Sequence, residues 1–248
     1  MDNLLQNLTK PCAQFIKGQT SRATGKKHMP PNRQNLTGCN TAMKADERKE
    51  AILKCATRLF STQGYYQTHI SDIIKEAQIA RGTVYQYFTN KDDIFITIVD
   101  TFFDKWRDMI SFELAKIDLA TISPKGYLRH RILRTLIFLS KDSDLCNIAL
   151  RLGLGLPEKV SQTINHFEQK IMDMIAEDLR FGQQEHNVPD TINVDTTAAI
   201  LTGALLRTAH HYFVNKRKKK GYSAKEIEKI ADDFVAVFTH GIFLPRDK

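Results

Sequence analysis

Thr68-His-Ile-Ser-Asp-Ile-Ile-Lys-Glu-Ala-Gln-Ile-Ala-Arg-Gly-Thr-Val-Tyr-Gln-Tyr-Phe-Thr-Asn-Lys91 decides how this chain folds. Ile70, Ile73, Ile74 and Ala77 recur at the spacing of one helical face. A second short helix is expected over about Arg81 to Phe88, with a tight turn at about Gln78 to Ala80 between the two. In that second helix Val84 and Phe88, four apart, can face a core, while Arg81, Thr83, Tyr85, Gln86 and Tyr87 load the rest of its surface with hydrogen-bond donors. Upstream, Ala51, Ile52, Cys55, Ala56, Leu59 and Phe60 make an apolar helical face that ends at Gly64, a residue suited to a left-handed C-terminal cap. A longer helix that shields the apolar faces of two short ones joined by a tight turn is the helix-turn-helix plan.

Working outward, the whole chain after Lys44 reads as helix after helix. Thr68 is expected to cap the second helix, and Asn90 the fourth, which opens Lys91-Asp92-Asp93 and runs to about Leu119. Ser123-Pro124, Asp142 or Ser143, and Pro157 start three more, the middle one stopping near Gly153 or Gly155. Two further helices are expected at about 193–215 and 224–243, the last announced by the capping box Ser223-Ala-Lys-Glu226. No segment shows the bounded β-branched alternation of a strand. The fold class is therefore all-α with nine or ten helices: a 1–43 disordered extension, a three-helix helix-turn-helix unit at 44–91, and a helical domain at 92–248. The polar, apolar-poor residues 1–43 give way abruptly to helix pattern after Met43, so translation starting there is one expectation and a basic arm lying along DNA is the other.

The pattern Ile73-Ile74-x-x-Ala77-x-Ile79-x-Arg81-Gly82-Thr83-Val84-Tyr85-x-Tyr87-Phe88-x-x-Lys91, preceded by Leu59-Phe60, Gly64 and Tyr66, resembles the DNA-binding domain of TetR-family transcriptional regulators over about residues 45–95. Two positions depart from it: Gln78 stands where the family usually has a turn glycine, and Ala80 where it usually has a capping serine. The resemblance implies that Thr68, Tyr85, Tyr87 and Lys91 hold phosphates and that Arg81, Thr83 and Gln86 meet base edges, with Gly82 allowing close backbone approach. It also implies a homodimer, most often a repressor, that leaves a palindromic double-stranded DNA operator when a small apolar or amphipathic effector binds.

For the rear of the chain, Phe102, Phe103, Trp106, Tyr127, Phe138 and Phe167 are the candidates to line an effector pocket. Leu201, Ala204, Leu205 and Thr208 on one helix, and Ile230, Phe234, Val237 and Phe238 on the next, are expected to pack together and build the dimer interface. Arg129, His130, Arg131 and Arg134 read as a solvated face or an acid-binding cluster, and Lys216 to Lys220 as an exposed loop.

Charge divides unevenly along the 248 residues. The net values are +5 for 1–43, +3 for 44–91 and 0 for 92–248, so the basic excess lies in front and points to a polyanion. Cys12, Cys39, Cys55 and Cys146 form no CxxC pair, His210 and His211 have no ligand partner at suitable spacing, and no nucleophile or phosphate-loop motif occurs. The expectation is a cytoplasmic non-enzyme with no metal, no cofactor and no membrane span. The rival reading that composition leaves open is a helical module for an anionic membrane surface or a protein partner; salt-dependent, sequence-selective duplex binding separates the two.

Overall fold

The computed structural model describes residues 45–118, 121–150 and 156–240, apart from the side chains of Leu114 and His240. The expected extension at 1–43 and the expected stop at Gly153 or Gly155 lie outside these residues. Among the described residues there are nine α-helices and no strand. They are α1 (Ala45–Gln63), α2 (Ile70–Ala77), α3 (Arg81–Tyr87), α4 (Lys91–Leu114), α5 (Pro124–Ser140), α6 (Ser143–Ala149), α7 (Glu158–Gln184), α8 (Val194–Ala209) and α9 (Ala224–His240). The last turn and a half of the helix expected to reach 215 is wound as a π-helix, His210–Asn215.

Local chemistry sets the boundaries. The Asn90 side chain accepts from the Asp93 amide at 2.9 Å, Ser123 from Gly126 at 3.1 Å, and Asp142 from Asp144 and Leu145 at 3.0 Å each. Ser223 and Glu226 close their capping box, with the Ser223 amide donating to the Glu226 carboxylate at 2.8 Å. Each such cap is worth about 1 kcal/mol. One expected cap is corrected. Residue His69, not Thr68, caps α2, and its amide donates to Asp72 at 2.9 Å.

The head, α1 to α3, closes over Ile52, Ala56, Leu59, Phe60, Ile73, Val84 and Phe88, and the first turns of α4 complete it with Ile94 and Phe95. Phe60, Tyr65 and Phe95 meet pairwise at ring separations of 5.2–5.9 Å. The described residues form one compact unit, and α1 packs on α6 as well as on its own head. A polar clasp crosses that contact: Ser61 Oγ donates to Asp144 at 3.0 Å, and Asn147 Nδ2 donates to the Ser61 carbonyl at 3.1 Å.

In the body, α7 runs antiparallel to α8 and also touches α4, while α9 packs chiefly on α5. The basic cluster on α5 is neither a bare solvated face nor a free anion site. Arg129 pairs with Asp232 of α9, Arg131 with Asp178 of α7 at 2.9 Å, and Arg134 lies 3.0 Å from Glu113 of α4. Each arginine faces a different helix. Partly exposed pairs of this kind add at most about 1 kcal/mol each, so their main effect is to fix how the helices are set around α5.

Candidate nucleic-acid interface

Helix α3 is only seven residues long and is anchored by one wholly buried side chain, Val84, with Phe88 seated just beyond its end. Everything else on it faces outward or sideways. Arg81, Gly82, Tyr85 and Gln86 are exposed, and Thr83 and Tyr87 are half-buried. The Arg81 guanidinium lies 5.7 Å from the Tyr85 ring centre one turn on, which holds the fork near the surface instead of letting it fold away. A Cβ added at Gly82 would meet nothing within 4 Å, so the fold itself does not require glycine there. The surface thus offers a fork, an amide and hydroxyls side by side, the donor set suited to base edges and phosphates in a major groove.

Two expected phosphate contacts change character. Thr68 is fully buried and its hydroxyl donates to the Gly64 carbonyl at 2.8 Å, so it staples the loop between α1 and α2 and has no free hydroxyl for DNA. The ammonium of Lys91 donates to the Tyr65 carbonyl at 2.8 Å and lies 4.2 Å over the Tyr65 ring, while the Tyr65 hydroxyl bonds Asp92. Burial pulls its pKa below the ordinary lysine value. An ammonium has three donors, so two remain for a phosphate, but the first duty of Lys91 is to lock α4 to the α1–α2 loop. Sequence reasoning missed His69 and Asp72, although an acid three residues after a polar residue was the signal. It also missed the Ser61–Asp144–Asn147 clasp, which joins residues more than 80 apart and leaves no local trace.

The expected pocket aromatics are corrected as well. Phe102, Phe103, Trp106 and Phe167 are buried, and Phe138 lies 5.1 Å and Phe167 6.1 Å from Phe102. They pack on one another, and the Trp106 indole N–H donates to Thr135 at 3.3 Å. Tyr127 stands apart, donating to Asp178 at 2.9 Å. None of the six lines either of two surface clefts: one of about 370 Å³ between α4 and α7, and one of about 420 Å³ between α7 and α8.

The dimer candidates split. Leu201 and Leu205 are buried in α8, which packs chiefly on α7, and Ile230 and Phe234 are buried in α9, which packs chiefly on α5. The expected packing of α8 mainly on α9 within the chain is therefore corrected. Ala204 and Thr208 are half-buried. On α8 and α9 the described apolar side chains left in solvent include Ile200 at 55% exposure, Val237 at 46% and Phe238 at 36%. Among the described residues no three His, Cys, Asp or Glu could hold a metal, and no helix is long and apolar enough to cross a membrane.

A buried-face, donor-surfaced α3 behind a tight turn, carried on an all-helical body, defines a helix-turn-helix DNA-binding protein. The sequence profile described as bacterial regulatory proteins, tetR family, matches residues 52–98. The HTH-type transcriptional regulator HbdR of Aromatoleum sp. (strain CIB) is 43% identical over 65 residues, 26% of this chain and 28% of that protein, so this match spans under a third of the relative's length. The crystal structure of FadR from Bacillus subtilis in complex with stearoyl-CoA superposes with a TM-score of 0.64 at 23% identity, covering 78% of this chain and 99% of that one. AibR in complex with isovaleryl coenzyme A and operator DNA gives 0.60 at 21% identity, covering 77% and 97%. The two structural likenesses establish the fold. Residues 52–98 are similar to the DNA-binding domain of the tetR family of bacterial regulatory proteins.

Proposed function

We propose that the chain is a cytoplasmic homodimeric repressor that docks α3 of each subunit in a major groove and leaves its operator when an amphipathic acyl-CoA-type effector binds. It has no catalytic step. The exposed donor face of α3, held by one buried valine and one buried phenylalanine, carries this reading. Arg81, Thr83 and Gln86 read bases, and Tyr85, Tyr87 and the spare donors of Lys91 hold phosphates. Ile200, Val237 and Phe238, on α8 and α9, are the apolar surface that a second copy covers, and a two-fold axis there sets half-sites about 34–36 Å apart or a multiple of it.

The effector class rests on FadR and AibR, whose structures hold acyl-CoA ligands. In the present structure Phe102, Phe103, Phe138 and Phe167 fill their own space, so an acyl chain entering the body has to displace them. A ligand that needs a different packing binds the two states unequally. A difference of about 5.5 kcal/mol carries the equilibrium from 1:99 to 99:1. The test uses a duplex selected by the full chain from a random pool. Stearoyl-CoA or isovaleryl-CoA is expected to release it, with free coenzyme A inert. Tight binding of the selected duplex that neither thioester changes would overturn the effector assignment.

A further inference from the structure

The run Lys216-Arg217-Lys218-Lys219-Lys220 is the densest positive charge in the chain, and the neutral net charge of the body conceals it. Outside these five, residues 92–248 carry 17 basic against 22 acidic side chains. The loop is thus a concentrated cationic spot on an acidic domain. Its place in the fold is as informative as its charge. Helix α7, about 40 Å long, leads away from α6. The far turn is marked by Arg180 against Asp195 at 3.1 Å and by Gln183 Nε2 donating to the Pro189 and Ile192 carbonyls. Helix α8 with its π-helical extension then returns over a comparable length to the α6 end. There Arg217 pairs with Asp144 at 3.1 Å, and the same carboxylate oxygen accepts from Ser61 of α1 at 3.0 Å. One acidic side chain therefore joins the basic loop to the DNA-binding head.

The loop is also shaped. The Tyr222 ring packs edge-on against Tyr212 and Phe213 at 6.0 and 5.5 Å, and its hydroxyl donates to the Lys216 carbonyl at 2.9 Å. Gly221, with φ of 71°, turns the chain so that its amide donates to the Lys218 carbonyl at 3.0 Å. Lys216 lies 5.9 Å from the Tyr212 ring centre, and Lys218 pairs with Glu226. Lys219 and Lys220 are exposed, and among the described residues neither is paired with an acid in the way Arg217 and Lys218 are.

We propose that this loop is a second DNA-contacting element: Lys219 and Lys220 reach duplex phosphates outside the groove read by α3, adding affinity without base preference. The inference rests on the DNA-binding reading above. Phosphates, not a protein or lipid acid, are the partner favoured, because the loop is tied to the side of the body that carries the head.

Full-length protein and a duplex it selects from a random pool test this. Each phosphate contact contributes about 0.9 to the slope of log K against log salt. Lys219→Ala with Lys220→Ala removes four such contacts from a dimer and is expected to lower that slope by about 3.6, so the affinity gap to the parent widens about 150-fold between about 200 and about 50 mM salt. Selected and scrambled duplexes should weaken alike. The charge-matched control Lys105→Ala with Lys229→Ala should leave the slope unchanged. An unchanged slope in the loop variant, while Arg81→Ala still lowers discrimination at the base pair Arg81 reads, overturns the loop's role and leaves the head's intact. An equal slope change in the control overturns it as well, as does an unchanged slope accompanied by lost binding to phosphatidylglycerol vesicles. A parent protein with no duplex preference at all overturns the DNA-binding reading itself.

Discussion

His130 sits on α5 between Arg134 and Glu113, with its Nε2 buried and without a hydrogen-bond partner. Burial, then the Arg134 charge, push its pKa below the ordinary value of 6.5, although Glu113 pulls the other way and Arg131 adds to the depression. In the pH window between the folded and unfolded values the unfolded chain binds the extra proton, so stability falls as pH drops through 6.5 toward the folded pKa. Urea unfolding across pH 7.5 to 5 is expected to show that loss, and His130→Gln is expected to flatten it. Only some residue roles were legible beforehand. Arg81 and Gln86 declared themselves because polar side chains crowd a helix with a single core face. The hydroxyl of Thr68 did not, because burial depends on the loop around it: Gly64, with φ of 87°, turns its carbonyl to within 2.8 Å of that hydroxyl.

At the scale of elements, the turn between α2 and α3 bears two local costs that other contacts offset. Gln78 takes φ 53° and ψ 36°, a left-handed conformation that a side chain disfavours by about 1–2 kcal/mol. Ala80, the cap of α3, gives the helix no side-chain acceptor. Ala80→Ser is expected to stabilise the chain by about 1 kcal/mol and Gln78→Gly by up to about 1 kcal/mol, both read as a raised urea midpoint at unchanged slope. Because the two sites adjoin, the double variant need not be additive. Helix starts were the most legible elements: Asn90, Ser123 and Ser223 announce themselves within four residues. Helix partners were not, since periodicity marks a face as apolar without saying what covers it. Leu201 and Leu205 differ from Ile200 in burial though all three are aliphatic residues of α8.

At the scale of the whole molecule, the contact of α1 with α6 gives the body a second hold on the head beside α4. Ser61, Asp144, Asn147 and Arg217 form it from three separate stretches of chain. A rearrangement of α6 therefore acts on the head directly, and the spacing of two heads in a dimer decides whether both reach their half-sites. Such a link spans 73 to 86 residues in sequence and cannot be read from any window of it. The most direct test of the account is the base preference of α3. Duplexes selected from a random pool by the parent and by Arg81→Ala should differ at the base pair Arg81 reads, with discrimination there falling by about 1–3 kcal/mol, or ~5- to ~150-fold. An Arg81→Ala protein that selects the same duplexes with the same discrimination would contradict the assignment of α3 to the groove.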